Sequence, residues 1–111
     1  MSMLPPKIRD VVVELAKGLR EIYGDRFRGL LLYGSYARGT AWEGSDVDLL
    51  LLLEGPVSPV REILNVQPIK NPLSLEADLA LSIVPVSVED FARGETTFLR
   101  AVRQDAIPVA A

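Results

Sequence analysis

Two short groups of residues in the first half of the chain have types and a spacing that suit chemistry. Gly34 and Ser35 follow an apolar run that ends at Tyr33, and Asp46 and Asp48 open a second apolar run. On a β-strand, residues at i and i+2 leave the same face with α-carbons about 6.6 Å apart, so both carboxylates can converge on one cation. An all-oxygen pair favours Mg²⁺ or Mn²⁺ over the softer metals.

The Gly34–Ser35 turn lies where the first predicted strand ends and a short helix is expected to begin. A helix N-terminus presents unpaired N–H groups and a positive dipole end, and glycine lets a phosphate approach the backbone closely. Arg38 could add a positive charge over the same phosphates, or it could pair with a nearby acid. These residues predict a triphosphate site beside the carboxylate pair.

Other ligand-binding patterns in this segment are weaker. Gly34, Gly39 and Thr40 resemble part of a Walker A loop, but no lysine stands between Gly39 and Thr40, and no G-x-G-x-x-G sequence follows a predicted strand. Tyr36 and Trp42 could stack on a nucleobase, although aromatic side chains in such turns more often pack beneath a loop.

The composition limits the classes of function. The chain has 111 residues, 49% of them hydrophobic, which predicts one domain over residues 1–111. A net charge of -3 argues against a nucleic-acid partner. Cysteine and histidine are absent, so catalysis must use carboxylates, hydroxyls, amides or cations. With no signal-peptide pattern and no apolar run of about 20 residues, we expect a cytoplasmic protein without membrane contact.

Apolar periodicity predicts an α/β (α+β) fold, in which helices pack against a small mixed sheet. The expected elements are a helix over 6–23, strands over 27–33 and 46–53, a short helix over 60–65, a loop over 67–74, a strand over 75–84, a helical turn over 87–92, a helix over 96–104 and an edge strand over 107–109. The apolar surfaces could be satisfied within one domain or could pair with a second copy of the chain.

Gly34-Ser35, ten further residues and then Asp46-Val47-Asp48 form a pattern that resembles the minimal nucleotidyltransferases of the DNA polymerase β superfamily. The resemblance implies the palm-like nucleotidyltransferase fold, ATP as the nucleotide donor, and two Mg²⁺ ions held by three carboxylates. In this family Gly34 and Ser35 would meet the triphosphate, whereas Asp46 and Asp48 would bind metal.

The resemblance also implies a third carboxylate on the next strand, flanked by apolar residues. Asp78, in the predicted strand over 75–84, fits this description, and we expect it to complete the catalytic and metal-binding set. Glu76 is the competitor, because it lies two residues earlier on the same predicted strand face.

By the same resemblance, the reaction would transfer a nucleoside monophosphate to an acceptor hydroxyl and release pyrophosphate. Small proteins of this kind often accompany a helical HEPN partner as the antitoxin of a toxin, and some transfer AMP to a tyrosine of that partner. Three alternatives stay open: a non-catalytic subunit that neutralises a partner by binding it, a transferase for a small molecule such as an aminoglycoside, and an enzyme that extends an RNA end. The acidic charge balance argues against the last.

Overall fold

The computed structural model describes residues 4–110. Its helices are α1 (Pro6–Tyr23), α2 (Ser35–Arg38), α3 (Pro59–Ala77), α4 (Val88–Arg93) and α5 (Thr97–Asp105), and its strands are β1 (Phe27–Tyr33), β2 (Val47–Leu53), β3 (Leu81–Ser87) and β4 (Ile107–Ala110). The strands form a sheet in the order β3-β2-β1-β4. Strands β2 and β3 are parallel, and β1 runs antiparallel to both β2 and β4. The predicted mixed α+β fold is confirmed.

Helix α1 follows the predicted bounds because its sequence supplies both a start and an apolar face. Proline stands at its first position, where the missing N–H costs no helical hydrogen bond. The helix ends before Gly24, whose φ of 55° suits glycine. Its apolar residues, spaced by three or four positions, are buried: Ile8, Val11, Val12, Leu15, Ala16, Leu19 and Tyr23.

The two faces of the sheet are covered unequally. Helices α1 and α3 pack on one face, where strand leucines such as Leu30 and Leu49 belong to the larger core. The other face carries a smaller core of Leu31, Leu50 and Val102, the last contributed by α5. Side chains alternate between faces along a strand, so Asp48 shares the second, less covered face with Leu50.

The middle of the chain differs from the sequence-based expectation. Helix α3 is predicted to stop near residue 65, but it continues through Pro68 and Pro72 to Ala77. The predicted loop over 67–74 is therefore wrong. The strand predicted over 75–84 exists, but it begins only at Leu81, as β3. Proline within a helix removes a hydrogen bond and is disfavoured by about 3 kcal/mol. Its presence here means that tertiary packing outweighs local propensity.

The packing that holds α3 in place is a close approach to α1. Val66 is buried and Ile69 is partly buried against the main core. A Cβ atom added to Gly18 would lie only 2.8 Å from Ile69 Cγ2, so glycine at this point of α1 lets the two helices approach. Apolar contact along α3 thus continues past the first proline.

A buried carboxylate ties the start of α3 to the end of α1. Glu62, only 2% exposed, accepts a hydrogen bond from the Tyr23 hydroxyl at 3.2 Å and another from the Ser58 backbone N–H at 3.1 Å. Ser58 is the N-cap of α3, but its own side chain makes no capping hydrogen bond. The Glu62 carboxylate instead accepts from the backbone N–H of Ser58, which fixes the N-cap residue to the first turn of α3.

Helices α4 and α5 begin with side-chain caps. The Ser87 hydroxyl accepts from the Asp90 N–H, and the Thr96 hydroxyl accepts from the Leu99 N–H, each at 3.0 Å. Within residues 4–110, no helix combines the length and the apolar character needed to cross a membrane.

Candidate active site

The turn and the carboxylate pair meet at one end of the sheet. Strands β1 and β2 are antiparallel, and their register pairs Tyr33 with Asp48. The residue after Tyr33, Gly34, therefore lies beside the start of β2. The structure brings Gly34, Ser35, Asp46 and Asp48 to this end of the sheet, with Gly34 as the N-cap of α2 and Ser35 as its first residue.

Gly34 is in direct contact with the Asp48 carboxylate. Its φ is 76°, and a Cβ atom added there would overlap Asp48 Oδ2 and lie 3.2 Å from Asp48 Cγ. A side chain at position 34 would thus displace the carboxylate as well as strain the backbone. Glycine is required because the turn and the acid occupy adjoining space.

The surroundings of the Asp48 side chain disfavour its ionised form. Partial burial, followed by repulsion from Asp46, raises its pKa, and the positive charge of Arg38 opposes this rise. Among residues 4–110, no side chain makes a hydrogen bond or salt bridge to either Asp46 or Asp48. Two adjacent carboxylates whose negative charge Arg38 offsets only in part suit a hard cation with oxygen ligands.

Arg38 already has an acidic partner. Its Nη1 atom donates a hydrogen bond to Asp105 Oδ2 at 2.9 Å, and about half of the Arg38 side chain is exposed. Of the two predicted roles, pairing with an acid is therefore realised in this structure. Sequence offered no signal for Asp105, which lies at the end of α5, 67 positions along the chain.

Asp78 does not lie where the sequence predicts. It is the C-cap of α3, a non-glycine residue with φ of 53° and ψ of 50°, and it is exposed. The physical reason is that α3 extends to Ala77. The residue after it, Asp78, takes the left-handed conformation that ends the helix shortly before β3. The competitor Glu76 lies within α3, next to Lys7 and Asp10 of α1.

The expected set of three acidic ligands is consequently absent. Over residues 4–110, no group of three acidic, histidine or cysteine side chains is placed to hold a metal ion. Asp46 and Asp48 remain as a pair. The carboxylate oxygens of this pair fit one hard divalent cation. The expected site of three aspartates, with Asp78 as the third, is not formed.

Tyr33 is a neighbour of the site that sequence analysis missed. Burial first, and the Asp48 carboxylate second, raise the pKa of its hydroxyl. Its ring makes an edge-to-face contact with Phe98 of α5, with 5.7 Å between centroids. The tyrosine closes an apolar run, so only the strand register, and no local motif, could have pointed to it.

The two aromatic residues of the turn segment have different surroundings. Tyr36 is partly buried and packs against the main core. Trp42 is 71% exposed, and its ring lies over Gly44. Packing thus accounts for Tyr36, whereas Trp42 offers an exposed aromatic surface in the segment between α2 and β2.

Replacing Asp48 with Asn should raise the midpoint of thermal unfolding at pH 7 by a few degrees, because a neutral side chain removes the repulsion and the cost of desolvation. The pKa of Asp48 is raised in the folded protein. Its ionised form therefore lowers stability above that pKa, and this cost disappears below the pKa of the unfolded chain. The advantage of Asp48→Asn should shrink as the pH falls to about 3.

Scanning calorimetry in EDTA would measure this difference. Glu21→Gln, which removes one negative charge from an exposed position of α1, is the control and should leave the midpoint nearly unchanged. An Asp48→Asn protein that is less stable than the wild type at pH 7 would contradict the account of an uncompensated carboxylate.

The sequence of this chain is similar to those of known proteins. A family model described as "Nucleotidyltransferase domain" matches residues 12–101. The chain is 33% identical over 76 residues to "Putative protein adenylyltransferase MJ0141" of Methanocaldococcus jannaschii. The aligned region covers 68% of this chain and 76% of that protein. It is 42% identical over 45 residues to "Putative protein adenylyltransferase MJ1305" of the same organism, over 40% of this chain and 31% of the relative.

The fold has solved counterparts. A crystal structure described as a toxin-antitoxin with AMP-PNP superposes with a TM-score of 0.61 and 18% identity, over 91% of this chain and 71% of the other. At this identity the likeness concerns the fold alone.

The chain spans about a third of MJ1305 and about three quarters of MJ0141. The family match over most of the sequence, together with the turn and carboxylate pair, places this chain in the nucleotidyltransferase domain family.

Proposed function

We propose that this chain transfers AMP from ATP to an acceptor hydroxyl. The acceptor oxygen bonds to the α-phosphorus, the bond from that phosphorus to the bridging oxygen breaks, pyrophosphate leaves, and the hydroxyl proton is lost to water. The observation that carries this proposal is the contact between Gly34 and the Asp48 carboxylate. It brings a backbone turn suited to phosphate next to a carboxylate pair suited to a cation.

Asp46 and Asp48 would hold a Mg²⁺ ion, or Mn²⁺ in its place. Among residues 4–110 no side chain forms a salt bridge or hydrogen bond with them, and Arg38 only partly offsets the factors that disfavour ionised Asp48, so a bound cation would stabilise the pair. When bound, the cation would neutralise phosphate oxygens and the charge on the departing pyrophosphate. The resemblance implies two ions, and a second ion would need ligands other than Asp78.

The remaining residues of the turn would orient the nucleotide. Gly34 and Ser35 would present backbone N–H groups to the triphosphate. Arg38 is held by Asp105 through one nitrogen, and its guanidinium group keeps further N–H donors for a phosphate oxygen. Arg38 would thus bind phosphate from a position that the ion pair already sets.

A protein is the acceptor that we favour. Two relatives bear the name of protein adenylyltransferases, and a structural neighbour is a toxin-antitoxin pair with AMP-PNP. The net charge of -3 does not suit a nucleic-acid acceptor. We therefore propose an antitoxin that modifies a hydroxyl of a helical, HEPN-type toxin in the cytoplasm.

One observation favours a second candidate, a subunit that binds its partner without catalysis. The site lacks a third carboxylate because Asp78 caps α3. A site with fewer charged ligands binds cations more weakly. Such a protein would still neutralise a toxin by forming a complex.

Gly34→Ala should lower the affinity for Mg²⁺-ATP by about tenfold or more, because the new Cβ displaces the Asp48 carboxylate. Gly55→Ala is the matched control. Gly55 has a similar φ of 83° but no atom within 4 Å of an added Cβ. Both changes should cost about 1–2 kcal/mol of stability, but only Gly34→Ala should weaken nucleotide binding, as measured by titration calorimetry. Unchanged affinity in Gly34→Ala would contradict the proposed contact.

The transfer itself is testable with ATP labelled at the α-phosphorus, Mg²⁺, and a HEPN-type toxin, RNA or an aminoglycoside as acceptor. We expect label on the toxin, and a loss of about 100-fold or more in Asp46→Asn and in Asp48→Asn. ATP labelled at the γ-phosphorus is the control and should leave the acceptor unlabelled. Complex formation without transfer to any acceptor would overturn the enzyme proposal and leave the binding subunit.

A further inference from the structure

Strand β3 places one polar side chain directly beside the carboxylate pair. The parallel register of β2 and β3 pairs Asp48 with Ser82. Neighbouring strands lie about 4.8 Å apart, and paired residues of adjacent strands point to the same face. Ser82 is therefore the β3 neighbour of Asp48 on the less covered face of the sheet.

The burial pattern of β3 agrees with this orientation. Leu81 and Ile83, on either side of Ser82, are buried in the main core, whereas Ser82 is only partly buried. Val84, two residues further, packs with the smaller core on the face that carries Leu50. Ser82 thus stands between apolar residues of β3, on the face of the sheet where Asp48 lies.

The surroundings leave the Ser82 hydroxyl available. Within the part of the chain that the structure describes, the hydroxyl makes no hydrogen bond, and no buried polar side-chain atom lacks a partner. The hydroxyl is therefore open to solvent or to a ligand. Tyr33, Asp48 and Ser82 form a polar row across β1, β2 and β3 at one level of the sheet.

We propose that Ser82 is the third side chain of the cation site, an inference that rests on the proposed function of Asp46 and Asp48. Two carboxylates and one neutral hydroxyl face the cation, directly or through a coordinated water. The site therefore holds its cation with one negative charge fewer than a three-carboxylate site. Ser82 binds and positions, and Asp78 takes no part.

This placement predicts that a carboxylate at position 82 converts the site into one with three carboxylates and raises its affinity for a cation. Ser82→Asp should bind Mn²⁺, in the absence of nucleotide, about tenfold or more tightly than the wild type, because ligand charge tunes the affinity for hard cations. Asn71→Asp is the matched control. It adds the same charge on an exposed position of α3, across the sheet from the site, and should leave the affinity unchanged. The loss of the paramagnetic resonance signal of free Mn²⁺ measures binding directly.

A second variant keeps the test decisive if three carboxylates prevent folding. Ser82→Cys is nearly isosteric, and the chain contains no other cysteine. Thiolate is a soft ligand, so Ser82→Cys should bind Cd²⁺ about tenfold or more tightly than wild type, and Asn71→Cys should not.

The outcomes separate this inference from the proposed function. Tighter Mn²⁺ binding by Ser82→Asp, or tighter Cd²⁺ binding by Ser82→Cys, supports the placement of Ser82. Folded variants that match their Asn71 controls overturn it, even where the wild type transfers AMP. If the variants bind the cation more tightly but the wild-type protein transfers no AMP, only the proposed function is overturned.

Discussion

The site depends on one steric constraint, the contact between the backbone of Gly34 and the carboxylate of Asp48. Antiparallel pairing of β1 and β2 fixes it, because Tyr33 and Asp48 lie opposite each other and Gly34 follows at once. Any side chain at position 34 would push the acid away. The turn proposed to bind phosphate and the aspartates proposed to bind a cation are therefore positioned by the sheet itself.

The same arrangement lowers the stability of the folded protein, and packing elsewhere in the fold offsets this loss. Partial burial and Asp46 raise the pKa of Asp48, so the ionised pair lowers the stability of the protein without a cation. The opposite face of the sheet is closed by α1 and α3, whose apolar residues meet leucines of β1 and β2 that are fully buried. A well-packed core on one face lets the other retain charge and open polar groups, as binding requires.

Local patterns in the sequence were enough to predict the parts of the site that are close along the chain. Gly34 and Ser35 follow directly after β1, and Asp46 and Asp48 lie at the start of β2, so the pairing of these two neighbouring strands brings them together. The Arg38–Asp105 pair and the Asp48–Ser82 neighbours depend on tertiary packing and register, for which a single sequence carries no signal. Asp78 was misplaced for a different reason: Pro68 and Pro72 indicate a loop, but packing between α1 and α3 keeps the helix intact to Ala77.

The central claim is that one cation-dependent nucleotide site is built from the turn and the two aspartates. Titration calorimetry of ATP with and without Mg²⁺, on the wild type and on the double change Asp46→Asn, Asp48→Asn, tests it most directly. The account predicts binding by the wild type that requires Mg²⁺ and is lost in the double variant, although that variant remains folded. Mg²⁺-dependent binding of equal strength in both proteins, or no binding by folded wild type, would contradict it.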